Sequence, residues 1–162
     1  MRLPVRYLPE ALPASARKKQ KTMLLKSRNM YKKHQYYTRK PVAAFKSRRS
    51  KHLSKASKIY GVTNVEPNAT VARKTGCSMQ ALRQIVRKGE GAYYSSGSRP
   101  NQTAQSWGLA RLASSLTSGK AAAVDYRILE KGCDHRKTAF RLAKEARRRY
   151  GFGLSKTRKV AL

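Results

Sequence analysis

The sequence predicts an all-α protein: a small helical module with a long, basic, extended N-terminal arm and a basic C-terminal tail. Three observations lead there. Apolar residues recur at helical spacing in stretches bounded by Ser, Thr or Asp on one side and Gly on the other. Alternating apolar and polar runs, the mark of half-buried strands, are scarce. Residues 1–60 hold eighteen Lys and Arg against one acid, Glu10, and so dense a like charge resists collapse onto itself.

Pro4, Pro9 and Pro13 fix φ and remove backbone donors, so residues 1–14 read as extended. Ser15 is the expected N-cap of a first helix over 16–34, with Met23, Leu24, Ser27, Met30 and Tyr31 on one face. Pro41 biases Lys40 away from the α region, and QYYTRKPVAAF reads as an aromatic-rich extended connector. Ser50 caps a short second helix bearing Leu53, Ala56, Ile59 and Tyr60, which Gly61 ends. VTNVEPNATVARKTG reads as loop. A third helix spans 78–88, with Ser78 as cap, Met79, Leu82, Ile85 and Val86 buried, and Gly89 as stop. GEGAYYSSGSRPNQT is dense in turn formers. Thr103 or Asn101 caps a fourth helix through Thr117, with Leu109, Leu112, Ala113 and Leu116 on one face and Trp107 beside it. AAAVDYRILEKG gives a fifth helix. Asp134 caps a sixth, striped by Ala139, Phe140, Ala143, Ala146 and Tyr150. Three parts follow: an arm over 1–62, a helical module over 63–150 and a tail over 151–162.

The thirty-eight Lys and Arg against seven Asp and Glu give a formal charge of +31, which calls for a polyanionic or acidic partner. Cys77 and Cys133 have no CxxC spacing and are too few for a disulfide scaffold, so they point to a reduced intracellular setting. No stretch approaches the ~20 apolar residues of a membrane span, and MRLPVRYLPEALP lacks the apolar run of a signal peptide.

Catalysis is not expected. The few acids stand where helices need caps or solvent faces, and Cys133-Asp134-His135 reads as a turn plus a cap. Two Cys and the scattered His34, His52 and His135 do not supply a zinc set. The glycines from Gly89 to Gly97 lack the Lys of a P-loop, although a looser anion-binding turn with Arg99 stays open. No cofactor or small-molecule substrate is expected. The stronger signal is cations interleaved with aromatics: Lys32, Lys33, Tyr36, Tyr37, Arg39, Lys40 and Phe45, continued by Arg48 and Arg49. These tyrosines either stack on bases while the cations hold phosphates, or anchor the arm on neighbouring protein.

Two stretches carry a resemblance. SRNMYKKHQYYTRKPVAAFKSRRSKHLSKASKIYG (27–61) and RKGEGAYYSSGSRPNQTAQSWGLARLASSLTSGKAAAVDYRILEKGCD (87–134) are similar to segments of minor capsid and virion proteins of large double-stranded DNA viruses, of the phycodnavirus type found in algae. The resemblance implies a structural, non-enzymatic protein on the inner side of an icosahedral shell, made in the host cytoplasm. Its partners would be the major capsid protein and other minor capsid proteins, with viral DNA or an anionic inner membrane as further anionic neighbours. Basic arms would cross coat subunits, Trp107 and Arg111, at i,i+4, would lie together at the module's surface or just beneath it, and Arg99 and Pro100 would fix the loop leading into that helix. Two alternatives stand beside it: a non-specific nucleic-acid-binding protein that condenses a packaged genome, and a ribosomal protein.

Overall fold

The computed structural model describes residues 1–154 and 156–162. The chain runs β1 (Arg2–Pro4), a 3-10 turn (Val5–Tyr7), α1 (Ala14–Tyr31), α2 (Lys51–Tyr60), α3 (Ala69–Thr75), α4 (Met79–Ser95) and α5 (Ala104–Ser115). It continues through α6 (Lys120–Val124), α7 (Tyr126–Gly132), α8 (Thr138–Tyr150) and β2 (Lys159–Ala161). Helix dominates, as the apolar spacing implies, and a two-stranded antiparallel ribbon pairs the chain ends with Leu3 opposite Val160. Among the described residues no helix is long and apolar enough to cross a membrane.

Two compact units result. The first gathers residues 1–48, 90–107 and 156–162, and the second 49–89 and 108–155, so α4 and α5 contribute to both. Neither unit follows the serial division into arm, module and tail, because each collects segments distant in sequence.

In the first unit the expected extended arm is folded. Leu3, Tyr7, Leu8 and Leu12 are buried, and their apolar area outweighs the repulsion among neighbouring cations. Leu3, Tyr7 and Leu24 cluster with Trp107 and Leu162, while Leu12, Met23 and Val42 cluster with Tyr37 and Phe45. The expected free tail is also tied down, because Val5 N–H donates to Arg158 O at 2.8 Å and Leu162 N–H to Met1 O at 3.0 Å. Helix α1 begins earlier than the Ser15 cap implied, with Pro13 (φ −52°) at the cap position and no side-chain cap. A proline costs no helix bond there, because the N–H groups at a helix start have no partner within the helix.

The second unit has its core around Leu82, Ile85, Leu112, Leu116, Leu129 and Phe140. Helix α2 follows its local signals. Ser50 Oγ accepts from His52 N–H, and Gly61 closes the helix at φ 60°. The presumed loop over 62–76 contains α3, whose signals are short-range: Asn68 Oδ1 accepts from Val71 N–H at 2.8 Å, and Gly76 ends it at φ 73°. Gly89 does not stop α4. A Cβ there would stand 2.6 Å from Gly108 Cα, so this glycine serves the close approach of α4 to α5 instead. The expected fifth helix is broken at Asp125 into α6 and α7. Asp134 does not cap α8, which starts after Lys137; its carboxylate accepts from Arg136 N–H at 2.9 Å.

The reading of Cys77 and Cys133 as free thiols is overturned, because the two form a disulfide. They face each other as an isolated antiparallel bridge, flanked by Ser78 N–H to Gly132 O at 2.7 Å and Asp134 N–H to Gly76 O at 2.8 Å. The spacing gave no hint, because the partners are 56 residues apart and meet only when the α3–α4 and α7–α8 junctions do. Closing a loop of that length removes ~4 kcal/mol of chain entropy from the unfolded state. The C77S/C133S variant is therefore expected to lose about 2–4 kcal/mol in a denaturant titration, as is reduced wild type. Thiol titration of the unfolded, unreduced protein should find none, and two reactive thiols there would contradict the bond.

Candidate functional site

Ser15, Lys18, Lys19, Thr22, Met23 and Lys26 recur at the three- and four-residue spacing that places them on one face of α1. The segment after α1 runs alongside and brings up Tyr37 and Lys40. Together they line an open groove of about 500 Å³ within the first unit, with no acid in its walls. Two of its lysines are held by neutral partners: Lys19 Nζ donates to Pro41 O at 3.1 Å, and Lys26 Nζ lies 4.6 Å from the Tyr37 ring centroid. Lys18 and Lys40 are exposed.

The wall formed by residues 37–45 is fixed by Arg39, which is only 7% exposed. Its Nη1 donates to Ser27 Oγ at 2.9 Å and to Tyr93 O at 3.0 Å, and its Nη2 to Ser98 Oγ at 2.7 Å. The guanidinium sits 3.8 Å from the Tyr93 ring centroid, and the Tyr93 hydroxyl donor-acceptor receives Arg39 N–H at 2.9 Å. Burial away from any carboxylate lowers the Arg39 pKa from its ordinary value, yet guanidinium begins so high that the charge persists at neutral pH. Asn101 clamps the next turn, accepting from Val42 N–H at 2.6 Å and donating to Phe45 O at 2.7 Å.

The sequence candidates thus separate. Tyr37 and Lys40 belong to the groove. Arg39 is a buried latch behind it, so its expected role as an anion contact is corrected. Phe45 packs into the small core beneath. Lys32, Lys33, Arg48, Arg49 and Arg99 are exposed, and Tyr36, 68% exposed, rests against Tyr31 and Tyr94. The glycine run is no phosphate cradle: residues 89–95 are helical, and Gly97 (φ 101°) packs beside Leu24 and Tyr7. Trp107 meets Tyr7 edge-on, centroids 5.8 Å apart, whereas Arg111 is committed to Asp125. Lysines on a helix face carry no sequence mark beyond ordinary solvated charge, and it is the position of Tyr37 and Lys40 that groups Lys18, Lys19 and Lys26 around one groove.

Asp125 organises the second unit. Its fully buried carboxylate accepts from Arg111 Nε and Nη2, both at 2.8 Å, from Lys88 Nζ at 2.9 Å and from Ser115 Oγ at 3.2 Å. Burial alone would raise its pKa, but the hydrogen bonds and charges of Arg111 and Lys88 outweigh that and hold it below the ordinary carboxylate value. Breaking helix at Asp125 is what turns this carboxylate inward.

By fold and side-chain content this is a small, cation-rich helical protein cross-linked by one disulfide. Residues 4–138 match the model of DUF5824, a family of unknown function, and the chain belongs to that family. No curated protein and no solved structure matches it.

Two substitutions test the supports of this arrangement. R39K keeps the charge but cannot reach all three acceptors, and is expected to cost about 2 kcal/mol and to speed amide exchange at 39–45. Unchanged exchange there would contradict the latch. D125N leaves Arg111 without its carboxylate and is expected to cost about 3 kcal/mol. Because the folded pKa of Asp125 is depressed, its contribution is complete above the unfolded carboxylate pKa of ~3.9 and is lost as pH falls through the folded value. The stability gap between wild type and D125N should therefore be flat near neutrality and close in acid.

Proposed function

We propose that this protein is a structural minor capsid protein on the inner side of a large icosahedral DNA-virus shell, bridging coat subunits through basic surfaces. The observation that carries the reading is the partition of charge between the folded units. The first holds eighteen Lys and Arg against Glu10 and Glu90, a net +16, and the second twenty against five acids, a net +15. Along the sequence the charge crowds into the first sixty residues; in the fold it is shared almost evenly. Two units, each with its own core and its own cationic exterior, suit a component that must hold more than one acidic neighbour. Exposed Lys51, Lys55 and Lys58 on α2, and Arg141, Lys144 and Arg148 on α8, supply such an exterior in the second unit.

The bridging elements in this reading are the folded units rather than a trailing arm. The viral setting rests on the resemblance of residues 27–61 and 87–134 to virion proteins. Charge complementarity would speed docking and exclude basic partners, and no chemical step is needed.

Cross-linking mass spectrometry on particles purified from the source of the chain tests this. Links from Lys51, Lys144 and Lys156 chiefly to a major coat subunit are expected. Absence from particles, or links confined to genome-core or ribosomal proteins, would overturn it.

A further inference from the structure

We propose that the groove between α1 and residues 37–41 binds the phosphodiester backbone of single-stranded nucleic acid. This activity is separate from the coat contact and concerns the first unit alone.

Lys18, Lys19, Lys26 and Lys40 converge on the groove with no acid among its lining residues. Four cations at one site, unrelieved by any carboxylate, repel one another until an anion arrives. They are also lysines throughout. An ammonium is a point charge without the planar fork that favours paired carboxylate oxygens, so it accepts phosphate oxygens from many directions. A backbone that presents phosphates at varying rotations suits that set better than a fixed carboxylate does.

A second hollow of about 280 Å³ shares Lys18 and is lined further by Arg17 and Lys21. Lys18 and Lys26 are eight residues apart, about 12 Å along a helix axis. Cations spread over such a length fit a chain of phosphates rather than one free ion. The half-buried Tyr37 adds an aromatic face to the same wall, on which a base can stack. The order of this wall comes from Arg39 and Asn101, so the cations are in place before the ligand binds.

The test uses the full chain and fluorescence anisotropy with a fluorescein-labelled oligothymidylate. K18Q/K26Q/K40Q removes three groove charges and spares Lys19, which supports Pro41. K55Q/K58Q/K144Q removes three exposed charges from the second unit and serves as the matched control. Both substitute exposed side chains, and unchanged circular dichroism and melting confirm that each is folded. We expect the groove variant to bind on the order of tenfold more weakly, with a salt dependence shallower by ~2 in log–log slope. The control should change by less than about twofold. Equal losses in the two variants would overturn the proposal by reducing binding to bulk charge. So would wild type that ignores oligothymidylate but binds oligoglutamate through the same three lysines, which would assign the groove to an acidic protein.

Discussion

With thirty-eight Lys and Arg and only seven acids, most cations in this protein have no carboxylate to meet, and the fold handles many of them with neutral acceptors and rings. Arg39 spends its donors on two hydroxyls and a carbonyl. Arg147 donates to Ala123 O at 3.1 Å and lies 4.8 Å from the Tyr126 ring centroid and 4.5 Å from that of Phe152. Lys137 reaches Arg73 O, and Lys19 reaches Pro41 O. Carbonyl dipoles and aromatic quadrupoles hold a cation without cancelling its charge. The protein therefore orders its surface while keeping the field that attracts an anion.

The scarce acids are used unequally. On the surface, Glu145 meets Arg149 at 3.4 Å across one helical turn, the kind of exposed pair that contributes little. Asp125 is different: sealed from water, it gathers Arg111, Lys88 and Ser115 from α4 and α5 at the point where α6 gives way to α7. Removing water makes each of those contacts stronger and the loss of any partner more costly. The second unit is thus held by one buried carboxylate and one disulfide, whereas the first relies on a buried cation with no acid beside it.

What could be read from the sequence follows from the range of each interaction. Ser50 and Gly61 mark α2 because both act within a turn of their own positions. The stripes Leu82–Ile85–Val86 and Ala139–Phe140–Ala143 mark buried faces for the same reason. Helix α3 carried equally local signals in Asn68 and Gly76, but Pro67 and the polar residues before it spoke for a loop over the same stretch. Gly89 misled because a glycine needed for close approach is written like one that ends a helix. The disulfide, the pairing of β1 with β2 and the latch at Arg39 join residues 54 to more than 150 positions apart, and no local pattern announces them. Of the groove, Tyr37 and Lys40 stood out by their aromatic and basic context. Lys18, Lys19 and Lys26 could not, since their significance lies in what packs beside them.

The aromatic and basic run after α1 shows how a charged segment can be both folded and available. Successive residues of an extended chain face opposite ways, and here Arg39 is buried while Lys40 is exposed. Of the two, the guanidinium is the better choice for the inward position, because its planar fork reaches three acceptors at once and stacks on Tyr93, which an ammonium could not do together. The ammonium at Lys40 is the better choice outside, as a mobile point charge at the mouth of the groove. A disordered arm with the same composition would meet a polyanion equally well by charge, but would lose its conformational freedom on binding. Here that cost falls in folding instead, so the cations stand at a fixed spacing before any anion arrives. The inward arginine is in this sense what fixes the outward Lys40 beside the lysines of α1.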